Sequence, residues 1–231
     1  MTYLTLKELT KKYDAATTPC VDGVNLQVEQ GQTVVLLGRS GSGKSTTLKM
    51  IAGLTEITSG DILIEGKSII KVPPDKRGIS MMFQKPLLFP HMNVAQNIGF
   101  GLKMRGVPKD SITQKVHEML KLVRLDGYGT RKPTQLSGGQ EQRISLARAL
   151  IIQPRILLLD EPLNALDAEL RQEMRELILK LKKTFNATLL FVTHDQQEAT
   201  MLADKIALMN NGKITQYGPP QAIHNRLQTR E

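Results

Sequence analysis

Tryptophan is absent from these 231 residues, and aromatic side chains of any kind make up only 4% of them. A surface on which successive bases stack is therefore poorly supported. The formal charge of +9 reads mainly as solvated surface, since the lysines and arginines are scattered, and no nucleic-acid partner is expected. A single cysteine, Cys20, excludes an internal disulfide and suits a reducing compartment. No apolar run approaches the ~18 residues that a membrane span needs. The opening "MTYLTLKELTKKY" lacks the apolar stretch of a secretory leader, so no signal peptide is expected. What remains is 40% hydrophobic and 23% charged, an ordinary globular balance. The length suits one large domain or two small lobes sharing a site.

The stretch "GRSGSGKST" stands out against that background. It reads Gly38-x-x-x-x-Gly43-Lys44-Ser45, the spacing of a phosphate-binding loop. The preceding "TVVLL" is a β-branched and aliphatic run, as in a buried strand, and the following "TLKMIAG" opens a helical pattern. Glycines let successive backbone N–H groups converge on one oxyanion, and a helix N-terminus adds partial positive charge. Lys44 then reaches β- and γ-phosphates and the Ser45 hydroxyl is placed to ligate Mg²⁺. The plainer alternative is a glycine-rich turn that caps a helix.

Apolar patterning divides the chain. "YLTLKEL", "VNLQVEQ" and "GDILIEG" alternate with the period of half-buried strands, whereas "TVVLL", "ILLLD" and "TLLFVTH" are continuous runs of the kind found in a parallel sheet covered on both faces. Ile112, Val116, Met119, Leu120 and Val123 share one helical face; Leu170, Met174, Leu177, Ile178 and Leu181 share another. Residues 86–154 are mainly helical and interrupt a β-rich remainder, which predicts an inserted helical lobe.

Two carboxylates, Asp160 and Glu161, end the run "ILLLDEP". At the C-terminal edge of a parallel sheet they face the ligand crevice, Asp160 suited to the Mg²⁺ shell and Glu161 to polarising a water. A solvated acidic strand end is the alternative. His194 closes the third continuous run and is a candidate for the same edge. In "LSGGQEQRISLARAL", Ser137 and Gln140 have capping-box spacing, yet two glycines in a first turn weaken a helix by about 1 kcal/mol each. They make sense where an oxyanion approaches the backbone closely.

Taken together, these elements resemble the nucleotide-binding subunit of an ATP-binding cassette (ABC) transporter over almost the whole chain. "GRSGSGKST" resembles the Walker A motif, "ILLLDE" the Walker B and "LSGGQ" the family signature. Gln84 in "MMFQKP" resembles the Q-loop glutamine, "NALD" at 164–167 the D-loop and His194 in "VTHD" the switch histidine. The resemblance implies an α/β fold: a P-loop NTPase core with a mainly parallel sheet, an antiparallel β subdomain and an inserted α-helical subdomain. Core and β subdomain would occupy 1–85 and 155–231, and the helical signature subdomain 86–154. It implies ATP held by Gly38, Arg39, Ser40, Gly41, Ser42, Gly43, Lys44, Ser45, Thr46, Gln84 and Asp160, with Tyr13 stacked on adenine. Mg²⁺ would be held by Ser45, Gln84 and Asp160, and Glu161, His194 and Lys44 would act in catalysis. It implies a head-to-tail dimer with a second copy or a homologous subunit, in which Ser137, Gly138, Gly139 and Gln140 act in trans and Asp167 belongs to the D-loop. Asn164 stands where serine is more common, and Glu141 where a basic or polar residue is usual.

Within the family, "FQKPLLFPHMNVAQNIGFGL" and "GKITQYGPPQAI" resemble importers of maltose, polyamines, ferric iron and sulfate. That implies an ATPase powering uptake from the cytoplasmic face of a membrane, through integral permease subunits and with a solute-binding protein. Leu87, Leu88, Phe89 and Met92 form an apolar cluster suited to docking a membrane subunit, with packing between the lobes as the alternative. The chain is expected to lack the C-terminal β-rich regulatory domain that many such importers carry. An export or mechanotransmission ATPase, or a soluble cassette ATPase of DNA repair or translation, is the competing reading.

Overall fold

The structure is a computed structural model that describes residues 2–14 and 16–223. Two sheets form its frame. Strands β1 (Thr2–Lys11), β2 (Val21–Glu29), β4 (Ser59–Ile64) and β5 (Lys67–Ser68) make an antiparallel sheet in the order β2-β1-β4-β5. A second sheet runs β10-β9-β3-β8-β7-β6, built from β3 (Thr33–Leu37), β6 (Ile79–Met82), β7 (Ile156–Asp160), β8 (Thr188–Thr193), β9 (Lys205–Asn210) and β10 (Lys213–Gly218). All pairings in it are parallel except β9 with β10.

The continuous apolar runs are central strands, and the period of two explains where their side chains go. Val34, Leu36, Leu158, Leu190 and Val192 face the antiparallel sheet and helix α1 (Lys44–Ala52). Val35, Leu37, Leu157, Leu159, Leu189 and Phe191 face the other way, into the larger core. That core is closed by α2 (Val94–Met104), α3 (Lys109–Leu122), α4 (Gly138–Leu150), α5 (Ala168–Phe185) and α6 (Gln196–Leu202). Both sheet faces are thus covered, which is why these strands tolerate no polar alternation. Met174, Leu177, Ile178 and Leu181 bury the predicted stripe of α5, and Val116, Met119 and Leu120 that of α3.

Helices α2, α3 and α4 all lie between β6 and β7 in the chain. Helix α1 is fastened at its C-terminus by the buried Arg77 guanidinium, which donates to Met50 O (3.0 Å) and Ile51 O (2.9 Å). These are the carbonyls a helix end leaves unpaired. No helix among the described residues is long and apolar enough to cross a membrane.

Candidate functional site

Four strands of the parallel sheet deliver side chains to one edge. β3 runs into Gly38, β6 is followed by Gln84, β7 by Glu161 and β8 by His194. These residues and the loop residues Arg39, Ser40, Gly41, Gly43, Lys44, Ser45 and Thr46 line one cavity of about 790 Å³. This is the crevice at strand C-termini where open α/β sheets hold ligands.

The glycine spacing has a steric cause. A Cβ on Gly38 would lie 2.2 Å from Met209 O, and one on Gly43 2.4 Å from Cys20 O, with Gly43 at φ +99°. The loop therefore packs against β9 and the β1–β2 connection with no room for side chains. Gly43 also begins α1, which has no side-chain cap and no acidic residue in its first turn. The helix N-terminus is left open to an anion.

Lys44 is buried, and its ammonium donates to Gly38 O (2.8 Å) and Arg39 O (2.9 Å). Burial lowers its pKa, and the neighbouring Glu161 and Asp160 carboxylates partly restore it. Ser45 Oγ donates to Asp160 Oδ1 at 2.7 Å. Burial raises the Asp160 pKa, opposed by that hydrogen bond.

Glu161 takes a left-handed conformation, φ +45°, just past the last residue of β7. Such a value is costly for a non-glycine residue and collects at functional sites. Its Oε2 accepts from Asn164 Nδ2 (2.9 Å) and Gln84 Nε2 (3.4 Å), with His194 Nδ1 at 3.7 Å. The Asp195 carboxylate fixes the His194 loop by capping α6, accepting from Gln197 N (2.7 Å) and Glu198 N (3.0 Å).

Other sequence candidates lie elsewhere. Tyr13 does not line the cavity; it is 47% exposed, with the Lys11 ammonium 5.0 Å from its ring centre. Ser42 is buried with its hydroxyl unpartnered. Ser137 and Gln140 form the reciprocal capping box of α4, and no atom lies within 4 Å of a Cβ built on Gly138. Asp167 caps α5 by accepting from Leu170 N (2.9 Å). None of Ser137, Gly138, Gly139, Gln140 and Asp167 lines the cavity of its own chain.

Residues 21–164 match the family model described as ABC transporter. The chain belongs to the ABC transporter family. Among relatives, it is 48% identical over 228 residues to the Fe(3+) ions import ATP-binding protein FbpC 1 of Pectobacterium atrosepticum, covering 99% of this chain and 64% of that protein. It is 49% identical over 220 residues to the spermidine/putrescine import ATP-binding protein PotA of Clostridioides difficile, covering 95% and 63%. The chain thus spans under two thirds of the length of these family members. Among solved structures, the dimeric post-hydrolysis state of the ATP-binding cassette MJ0796 bound to ADP and Pi superposes with a TM-score of 0.84 at 30% identity. That match covers 94% of this chain and 98% of the other.

Further contributors escaped the sequence reading. Cys20, Gln196 and Leu208 line the cavity, and nothing in their local sequence signals it, because the loops meet only in the fold. Arg148 had a signal: it follows Ile144 by four positions, on the buried side of α4. Its guanidinium donates to Pro86 O and Leu87 O, both at 3.0 Å.

A larger cavity of about 840 Å³ lies between α2 and α3. Its walls include Met92, Phe100, Ile112, Val116 and Leu120, and it holds none of the chemistry above. Of the predicted docking cluster, only Leu87 is largely exposed, at 58%. Phe89 is half-buried against Phe100, ring centres 4.8 Å apart, and Leu88 packs on the core.

Proposed function

We propose that this chain binds and hydrolyses ATP to power solute uptake through membrane-embedded partner subunits. The observation that carries the reading is the single cavity that brings an anion cradle, a buried lysine and a carboxylate general base together. Lys44 exchanges its two loop carbonyls for β- and γ-phosphate oxygens. The Ser45 hydroxyl and Asp160 carboxylate are the hard-oxygen pair that suits Mg²⁺, with Gln84 completing the set. Held there with the nucleotide, Mg²⁺ would supply positive charge to phosphoryl transfer. Glu161 accepts a proton from the attacking water, and His194 holds the γ-phosphate.

Ser137, Gly138, Gly139 and Gln140 act on the nucleotide of a second copy, in a head-to-tail dimer. Two features favour this: the exposed, sterically open Gly138 at a helix N-terminus, and the absence of these residues from their own chain's cavity. Import is favoured over export by the named relatives, and the protein works on the cytoplasmic face with permease subunits and a solute-binding protein. Leu87 and the apolar groove beside α2 and α3 form the docking face for those permeases. Iron and polyamine importers are similar to this chain to nearly the same degree, so the solute is set by partners.

Glu161→Gln tests the centre of this reading. ATP binding should persist while turnover falls by about 10²–10⁴, the usual worth of a general base. Size-exclusion with Mg-ATP should show a trapped dimer. Turnover at the unmodified rate would remove Glu161 from the mechanism.

A further inference from the structure

Asn164 lies three residues beyond Glu161 on a turn, its N–H donating back to Glu161 O at 3.3 Å. Its side-chain Nδ2 donates to Glu161 Oε2 at 2.9 Å, the shortest of the contacts that converge on that oxygen. Gln84 at 3.4 Å and His194 at 3.7 Å address the same atom, Oε2. Among the described residues, Glu161 Oε1 accepts no hydrogen bond from protein. Glu161 and Asn164 together form part of the wall between the 790 Å³ cavity and an enclosed polar one of about 40 Å³.

We propose that Asn164 is a positioning residue for the catalytic carboxylate, holding Oε2 so that Oε1 is the oxygen presented to the attacking water. The inference rests on the general-base reading of Glu161. In the step it serves, one O–H bond of water breaks and its proton goes to Oε1. The water oxygen bonds to the γ-phosphorus, and the bond from that phosphorus to the bridging oxygen breaks. ADP leaves with the electron pair. An amide fits this task because its NH₂ donates without titrating, and because a donor on one carboxylate oxygen fixes the plane of the other. A serine at this position has a shorter reach and a freely rotating hydroxyl.

The charged or titratable groups around Glu161 are Lys44, Asp160 and His194, with Arg171, Asp195 and Glu198 across the small cavity. None is altered by substituting Asn164. Asn164→Ala in the full chain should lower kcat about tenfold with KM for Mg-ATP unchanged, the scale of one hydrogen bond to a charged group. Loss of that donor frees the carboxylate to rotate away from the attacking water, so the whole deficit should fall on kcat. Asn164→Asp replaces the donor by a carboxylate that repels Oε2 and should lower kcat at least as far, again with KM unchanged. A higher KM at unchanged kcat, or an unchanged kcat in both variants, would overturn the proposal. Glu161→Gln run alongside separates the failures. If it turns over normally, the general-base reading falls; if it is inactive while Asn164→Ala is unaffected, only the role of Asn164 falls.

Discussion

Leu87 is a leucine held in a left-handed conformation, φ +46°, with its side chain 58% exposed. The Arg148 guanidinium fixes that conformation by donating to Pro86 O and Leu87 O. A non-glycine residue there costs about 1–2 kcal/mol, and glycine gives back about 0.5–1 kcal/mol through the entropy of the unfolded chain. Close to half of the residue is buried, worth about 1 kcal/mol against about 1.5–3 kcal/mol for full burial of a leucine. Relief of strain and loss of burial then nearly cancel in Leu87→Gly, so the Tm of the isolated chain should stay within about 3 °C. Under the docking proposal the same substitution removes the exposed apolar contact and weakens co-purification with membrane subunits. Leu87→Ala keeps the strain and loses the side chain, so it should weaken assembly and melt about 1–4 °C below Leu87→Gly. Thermal melts of the three proteins beside a pull-down from detergent-solubilised membranes read both effects. A Leu87→Gly Tm no higher than that of Leu87→Ala would refute the strain argument. Unimpaired assembly in both variants would refute the docking role.

Asp204 is a separate lever: burial pushes its carboxyl up, but the Thr33 N–H (2.7 Å) and the Lys182 ammonium (2.9 Å) outweigh burial and hold it below the ordinary range. That stability is present above the unfolded value of about 3.9 and lost as pH falls through the lowered native value. Asp204→Asn should lower Tm at pH 7 by about 1–3 °C, since the group is half exposed, and flatten the acid side of a Tm–pH plot. Lys44 shows the opposite sign: burial lowers its pKa, so the native protein disfavours its charged form and gains stability as pH rises toward the unfolded value of about 10.4. Lys44→Met should raise Tm at pH 7 by a few degrees and abolish stabilisation by Mg-ATP; a lower Tm would mean the two carbonyl bonds outweigh desolvation.

How far the sequence could be read depended on whether a pattern was local. β3, β7 and β8 announced themselves because strands covered on both faces can carry only apolar residues, and the glycines of 38–43 did so because backbone packing leaves no alternative there. The convergence on Glu161 was not legible. Asn164 registered only as a departure from a pattern, because its meaning depends on a left-handed Glu161 that no local propensity specifies. The half-buried placing of Phe89, a member of the candidate docking cluster, was not legible for a related reason. Apolar residues between two prolines look exposed in sequence, but buried Asn97 draws the segment inward by accepting from Phe89 N (2.8 Å) and donating to Phe89 O (3.1 Å).

Helix α4 gives the proposed coupling a physical carrier. Its first turn begins at Ser137, and further along it holds the segment after β6 by three backbone carbonyls: Gln142 Nε2 donates to Gln84 O (3.2 Å), and Arg148 to Pro86 O and Leu87 O. Thirteen residues at 1.5 Å each make a rod of about 20 Å. The rod is buried along Ile144, Leu146, Ala147 and Leu150, so it resists bending and moves with the helices it packs against. Under the dimer proposal, a partner's nucleotide drawn to Ser137 and Gly138 pulls on one end of this rod. Gln84 and Leu87 are gripped near its other parts, one side chain on Glu161 and the other facing out. Closure at the nucleotide and displacement at the docking face are then two ends of a single rigid-body motion.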